Sequence, residues 1–397
     1  MRAVDAPSIV RPVVLLSMAS FASVATARVA DPLLPQVAAE FGVSAGEASV
    51  IATAFALAYG ICQLVYGVLG DRFGKYRLVT FATLVSALTV AATGFAGSLG
   101  ALGTARLLGG ATAGAIVPLS MAFIGDHVPY DRRQTVLARF LTGTIAGTIC
   151  GQVFGGVLGA VVGWRAVFLL LGGVYLLIGV LLVVELSSTR VPPPLLTSPI
   201  SRATLVESYA LLLRRPWPRV VLATVCAEAF LFYGGFTFVG AYLRESFGLD
   251  YARIGLLLGG MGVGGLLYAL TVRQLVRGLG ERGLALYGGL AIAGGFIAVA
   301  ISPLPLIGPA MILLGLGLHM LHNTLQTNAT QMTPEARGLA VSTFANVLFM
   351  GQAAGVWLSG LAIDRIGFAP VFIAAGIALL TVGVAFALLL GNRPAPA

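Results

Sequence analysis

Charge is what this sequence has least of. Only 10% of its 397 residues are Asp, Glu, Lys or Arg, where a soluble globular chain carries about 25%. Mean hydropathy is correspondingly high, at +0.96. Long polar stretches are rare, and short segments of alternating apolar and polar residues are missing. The first shortage excludes a water-soluble globular protein. The second excludes a transmembrane β-barrel, whose strands alternate lipid-facing and lumen-facing residues. What remains is a chain of apolar stretches of roughly 20 residues, each long enough to cross a bilayer as a helix. In lipid every backbone N–H and C=O must be satisfied inside its own segment, so such a chain folds as a helical bundle.

Cysteine and histidine are scarce as well, with three of each. Cys62, Cys150 and Cys226 all fall inside apolar runs. They read as small packing residues, not as disulfides or metal ligands. No phosphate-binding P-loop occurs, which excludes ATP as the energy source, and no nucleophile–base constellation suggests an enzyme. No cofactor or metal is expected. The net charge of +9 would suit nucleic acid. The basic residues lie instead in short loops between apolar runs, the footprint of membrane orientation. No small-residue cleavage site follows a short apolar core near Met1, so the first span is expected to be its own insertion signal.

Twelve spans are predicted, at about 12–34, 46–69, 77–97, 100–124, 135–160, 166–186, 218–243, 251–275, 283–302, 306–327, 338–361 and 369–390. The long non-apolar stretch from Leu186 to Arg219 contains "VPPPLLTSP" and "RRPWPR". It reads as a cytoplasmic linker, 187–217, between an N-terminal half, 1–186, and a C-terminal half, 218–397. With an even number of spans both termini share a side. Eighteen of the 24 basic residues fall on that side and only Arg165, Arg244, Arg253 and Arg365 on the other, so both ends are placed in the cytoplasm. The halves repeat. "GQVFGGVLGAVVGWRAVF" from Gly151 matches "GQAAGVWLSGLAIDRIGFAPVF" from Gly351, and "PYDRR" from Pro129 matches "PEARG" from Pro334. Matching segments lie on the same side of the membrane, so the repeat is parallel.

The loop after span two reads "GVLGDRFGKYR". It resembles the G-x-L-x-D-R-x-G-R-K signature of the major facilitator superfamily, with Gly67, Leu69, Asp71, Arg72, Gly74 and Lys75 in place. Tyr76 departs from the usual basic residue. In that family the loop latches one state, which implies a cytoplasmic gate of Gly67, Asp71, Arg72, Gly74 and Lys75. Asp71 is expected to pair with arginines across the interface of the halves, and Asp126 with the motif's arginine. "RLLGGATAG" from Arg106 resembles the family's second motif. "GTIAGTICGQVFGG" resembles the antiporter motif of the twelve-span drug:proton antiporter, or arabinose-efflux-permease-like, branch. There Gly143, Gly147, Gly151 and Gly155 share one helix face beside Gly156, and Gln152 stands where the branch usually has proline. The resemblance implies an all-α integral membrane protein: twelve transmembrane helices in two parallel-repeat halves.

Charges inside spans are costly and mark function by default. Arg28 and Asp31, in "TARVADPLLP", sit at i and i+3 and can pair. Burial favours the neutral form of Asp31, while Arg28 or Arg106 favours its charged form. The alternative is a static pair at the outer interface. Arg106 is expected to face a cavity or an acid, or else to snorkel. Glu228, in "VCAEAFLF", has no basic residue within one turn. Asp31, Glu228, Arg106 and Arg28 form the candidate proton-coupling set. His319, His322, Asn323 and Gln326 make one polar stripe on span ten, expected to face a central cavity opposite Arg106. Tyr233 and Phe236 represent an aromatic-rich span seven, which suits flat or cationic solutes or simply packing.

The function these features imply is proton-driven efflux of small molecules such as drugs or sugars, by alternating access in a multi-pass monomer of a bacterial inner membrane. The proton gradient is the energy source; protons, the solute and the bilayer are the partners, and nucleic acid is not one. A proton-coupled importer or facilitator of a polar metabolite or sugar is the first alternative. A non-transporting membrane receptor is the second.

Overall fold

A computed structural model describes residues 9–188, 210, 212–332 and 337–391. Most of the expected linker lies outside these residues. Span one is Val10–Arg28, continued after a turn at Val29 by Ala30–Phe41. Span two is Ala45–Ala48 running on into Val50–Phe73. Lys75–Gly94 is span three, and Leu99–Ala113 with Ile116–His127 is span four. Tyr130–Leu186 carries spans five and six, and Tyr251–Ile301 carries eight and nine. Each of these long helices breaks at a glycine of positive φ, Gly163 (77°) and Gly280 (62°), a conformation glycine reaches without a Cβ clash. Span seven is Pro216–Phe236 with Val239–Phe247. Ile307–Ala329, Arg337–Ile366 and Phe368–Gly391 are spans ten to twelve. The described residues contain twelve crossings and no strand.

The two halves start and stop their helices by the same local chemistry. Spans one and seven both end at a left-handed glycine, Gly42 (φ 63°) and Gly248 (φ 64°). Two residues later a short polar side chain caps the next span. Ser44 accepts from the Glu47 N–H while the Glu47 carboxylate accepts from the Ser44 N–H, a capping box. Asp250 accepts from the Arg253 N–H in the equivalent place.

Packing repeats with the caps. The glycine face of span five lies on span one, turn by turn: Gly143 on Ser17, Gly147 on Phe21, Gly151 on Ala25 and Gly155 on Val29. Gly351 and Gly355 of span eleven lie on Cys226 and Phe230 of span seven in the same way. A Cβ on Gly151 would come 2.6 Å from the Ala25 carbonyl oxygen, and one on Gly351 would come 2.6 Å from that of Cys226. Small residues thus replace side-chain interdigitation with direct backbone approach, the usual way to join helices in lipid. Gly156, on another face of span five, meets Gly255 of span eight and so joins the halves. The helix runs unbroken through Gln152. The three cysteines are unpaired and partly buried.

The end of the bundle away from the termini is closed. Gly46 of span two meets Gly360 of span eleven, and Gly240 of span seven meets the Asp31 carbonyl of span one. At mid-depth Asn346 donates to the Gly60 carbonyl at 2.8 Å, and the rings of Tyr59 and Phe349 lie 4.1 Å apart. The termini-side segments of spans four and ten pack within their own halves. Within the N-terminal half, Glu40 is clasped at the far end by the Arg165 guanidinium and the Trp164 indole N–H. Burial works against its charge, but these donors and the Arg165 charge outweigh burial and hold the carboxyl below its ordinary range.

Gly151→Val and Gly351→Val should each lower the thermal stability of the purified protein by ~1–3 kcal/mol, the cost of overpacking. Gly67→Ala should not lower it and should raise it by up to ~1 kcal/mol, because nothing lies within 4 Å of the added Cβ and alanine is the better helix former; tryptophan-fluorescence melts in detergent read all three. Glu40→Gln destabilises at pH 7. Since the folded-state pKa is depressed, the contribution is present above the unfolded value of about 4.3 and fades as pH falls through the folded value. Melts of the two proteins should therefore converge in acid.

Candidate functional site

Span one turns at Val29, and this turn places Arg28 and Asp31 on the same side, at 3.9 Å. Both are buried: Asp31 is 2% exposed and Arg28 7%. The Arg28 guanidinium lies 4.3 Å from the ring centre of Tyr233, on span seven of the other half. This cation–π contact therefore crosses the interface. Arg28 Nη1, Asp31 Oδ2, Gln152 Oε1 and Thr237 Oγ1 are all buried and have no hydrogen-bond partner among the described residues. Thr237 and Gln152 stand beside the Asp31 carboxylate. An acid, a cation and two neutral polar groups thus meet where spans one, five and seven converge beneath the closed end.

Glu228 is 1% exposed on span seven. Its Oε2 lies 2.8 Å from Nδ1 of His322 on span ten. His322 keeps a quarter of its side chain exposed, so it stands between the buried acid and the interior of the bundle. Its ring also lies 5.6 Å from that of Phe344 on span eleven. The charges of Glu228, Arg28 and Asp31 all act on Tyr233, which links the two acidic positions.

The polar stripe of span ten divides between neighbours. His319 turns to span eight, where its ring fills the space left by Gly265, and bonds the Gly315 carbonyl of its own helix. Asn323 stands beside the Tyr268 hydroxyl, and Gln326 is exposed. Only His322 of the four meets an acid.

Three expected placements are corrected. Arg106 does not face a cavity. It is 1% exposed inside the N-terminal half, where Nε donates to the Ile51 carbonyl at 2.6 Å and Nη1 to that of Thr26 at 3.2 Å. Its guanidinium also stacks 4.3 Å over Phe55. Carbonyls of two neighbouring spans take Nε and Nη1 in place of an acid, while Nη2 is buried without a hydrogen-bond partner among the described residues, and snorkelling is equally absent. Phe236 is fully buried against Phe232 and so packs the C-terminal half rather than lining a passage. At the termini-side loop, Asp71 and Asp126 both pair with Lys75, at 2.9 and 2.6 Å. Among the described residues Asp126 pairs with no arginine and Asp71 with no residue of the other half; Lys75 stands between the two acids. Arg72 lies over the Phe73 ring on the surface. Gly74 takes φ 90° at the turn, as the motif requires. The Glu228–His322 pair itself was not legible, because 94 residues separate its members.

Over residues 16–348 the sequence matches the pattern of the Major Facilitator Superfamily. It is 32% identical over 123 residues to the multidrug export protein EmrB of Haemophilus influenzae, an alignment covering 31% of this chain and 24% of that protein. The chain thus spans about a quarter of the EmrB length it matches. It is 24% identical over 358 residues to the multi-drug resistance efflux pump PmrA of Streptococcus pneumoniae, covering 87% and 88% of the two chains. Among solved structures, a bacterial homolog of the human lysosomal transporter Spinster, inward-facing and unoccupied, superposes with TM-score 0.75 at 18% identity over the whole of both chains. A D-xylose-proton symporter superposes with TM-score 0.74 at 16% identity, over 96% of this chain and 97% of that one.

The placement of Arg106 makes it a brace between spans one, two and four. Arg106→Lys removes the forked donor geometry and the stacking together, and should lower stability by ~1–3 kcal/mol. A melt indistinguishable from the unsubstituted protein would show that the carbonyl contacts carry no weight.

Proposed function

The chain belongs to the Major Facilitator Superfamily, and we propose that this transporter is a proton-coupled exporter of small molecules in a bacterial inner membrane. The observation that carries the reading is the Glu228–His322 pair at 2.8 Å. A buried carboxyl bonded to a part-exposed imidazole is a two-group proton store. The carboxyl and the imidazole are joined by one hydrogen bond, and each is a group able to carry a proton. A solute that bonds His322 competes for the same group, so proton and solute bias the pair differently, which is what coupling needs.

The arginine distribution supports placing both termini in the cytoplasm. The closed end is then the outer end, and Asp31 is shut away from the periplasm by Gly240 and its neighbours. Opening that end pulls Tyr233 away from Arg28, since the two belong to different halves. Asp31 then exchanges protons with the outside, and the next closure carries the proton inward. Glu228 and His322, on the far side of Tyr233, meet solute from the cytoplasm. The proton gradient supplies the energy, and each monomer holds the whole path. The names of EmrB and PmrA support export as the direction.

A second reading has its own support. The part-exposed imidazole of His322 suits hydrogen bonding to a polar solute, and the fold is shared with a D-xylose-proton symporter. An importer would move protons and solute the same way.

Purified protein in liposomes, with an imposed proton gradient and an internal pH dye, separates the two. Export predicts that a drug drives protons against its own direction, and that Glu228→Gln or Asp31→Asn lowers this flux at least ~10-fold. Protons and a sugar moving together would replace export by the second reading. Proton-independent equilibration of the solute would remove coupling altogether.

A further inference from the structure

The loop motif of the termini-side gate occurs twice in this chain. Gly67-x-x-x-Asp71-Arg72-x-Gly74 ends span two, and Gly360-x-x-x-Asp364-Arg365-x-Gly367 ends span eleven. Both final glycines turn at positive φ, 90° and 82°. Spans two and eleven are partners across the interface, and they point opposite ways along it. The two copies therefore sit at opposite ends of one helix pair.

The copies are in different conditions. Asp71 is satisfied inside its own half by Lys75. Asp364 instead bridges the halves: it accepts from the Ser44 hydroxyl at 2.7 Å and from the Gly46 N–H at 3.1 Å. Ser44 is held for this by its capping box with Glu47. Each carboxylate oxygen has its own donor, and the donors belong to residues two apart at the mouth of span two. Beneath them Gly46 and Gly360 meet with no side chain between; a Cβ on Gly46 would lie 2.6 Å from the Gly360 carbonyl oxygen.

We propose that Gly360–Gly367 is the latch of the end away from the termini, with Asp364 as the positioning residue that holds that end shut by gripping Ser44 and Gly46. The repeated motif is then one device used at both ends of the same helix pair, engaged at one end while released at the other. Such a latch needs only a transporter whose halves separate. It does not depend on the direction of transport or on Glu228 and Asp31.

The test reads the closed end directly. Spin labels on Ala39→Cys and Ile366→Cys, both exposed and on opposite halves, are placed in protein lacking Cys62, Cys150 and Cys226. Pulsed electron–electron resonance then gives the distance distribution. Asp364→Ala should raise the ratio of long to short distances at least about tenfold, the scale set by losing a hydrogen bond to a charged group. Ser44→Ala should raise it less, and should add little in the Asp364→Ala background. Asp364→Asn keeps the volume and one acceptor, so it serves if the alanine variant misfolds. An unchanged distribution in Asp364→Asn and Ser44→Ala overturns the latch. So does strict additivity of the two substitutions, which would mean that Asp364 and Ser44 do not act through each other. Loss of transport in liposomes with an unchanged distribution would also count against it.

Discussion

Span five touches span one through glycine, and the geometry of the charged site depends on that contact. With Gly143, Gly147, Gly151 and Gly155 facing it, span one comes close enough for its backbone to be the packing surface. A Cβ on Gly151 would stand 3.1 Å from that of Arg28, and one on Gly155 would stand 3.0 Å from a Pro32 ring carbon. The approach therefore decides where the charged turn at Val29 can lie. In hydrocarbon no hydrophobic force pulls helices together, so the surfaces themselves must fit.

The charges buried in this bundle are held in three different ways. Arg106 has carbonyls and an aromatic face, all within one half, and it is static glue. Arg28 leans on Tyr233 in the other half and has a loose contact with Asp31, so its surroundings change whenever the halves move. Glu228 has a partner in its own half, the His322 imidazole of span ten. The desolvation cost is similar in kind at all three sites. What differs is where the compensating group sits: within the same half for Arg106 and Glu228, and across the interface for Arg28.

The spans and the halves could be read from the chain because apolar length and glycine spacing are local. Arg28 with Asp31 was readable for the same reason, being one helical turn apart. The motif loop was also readable as a turn, since Gly74 needs no distant information. Its partners were not: whether Asp126 meets Arg72 or Lys75 depends on which side chain reaches across from span two to span four. Arg106 looked like a cavity residue because a sequence shows no backbone carbonyls. The stripe on span ten looked single because helical periodicity groups residues within about a quarter turn. The helix lies between spans seven and eight, and that width is enough to send His322 one way and His319 the other.

The mid-depth contact of spans two and eleven has a mechanical meaning. Asn346 bonds Gly60, which lies fourteen residues from Gly46 at one mouth and fourteen from Gly74 at the other. At the rise of an α-helix each arm is about 21 Å long. A lever pivoted at its middle moves both tips equally, so a tilt of about 10° would shift each by roughly 4 Å. A rigid tilt about that contact would part Gly46 and Gly360 while the opposite mouth narrows by a similar amount. Equal arms about a mid-depth contact would thus couple the two mouths in opposite senses.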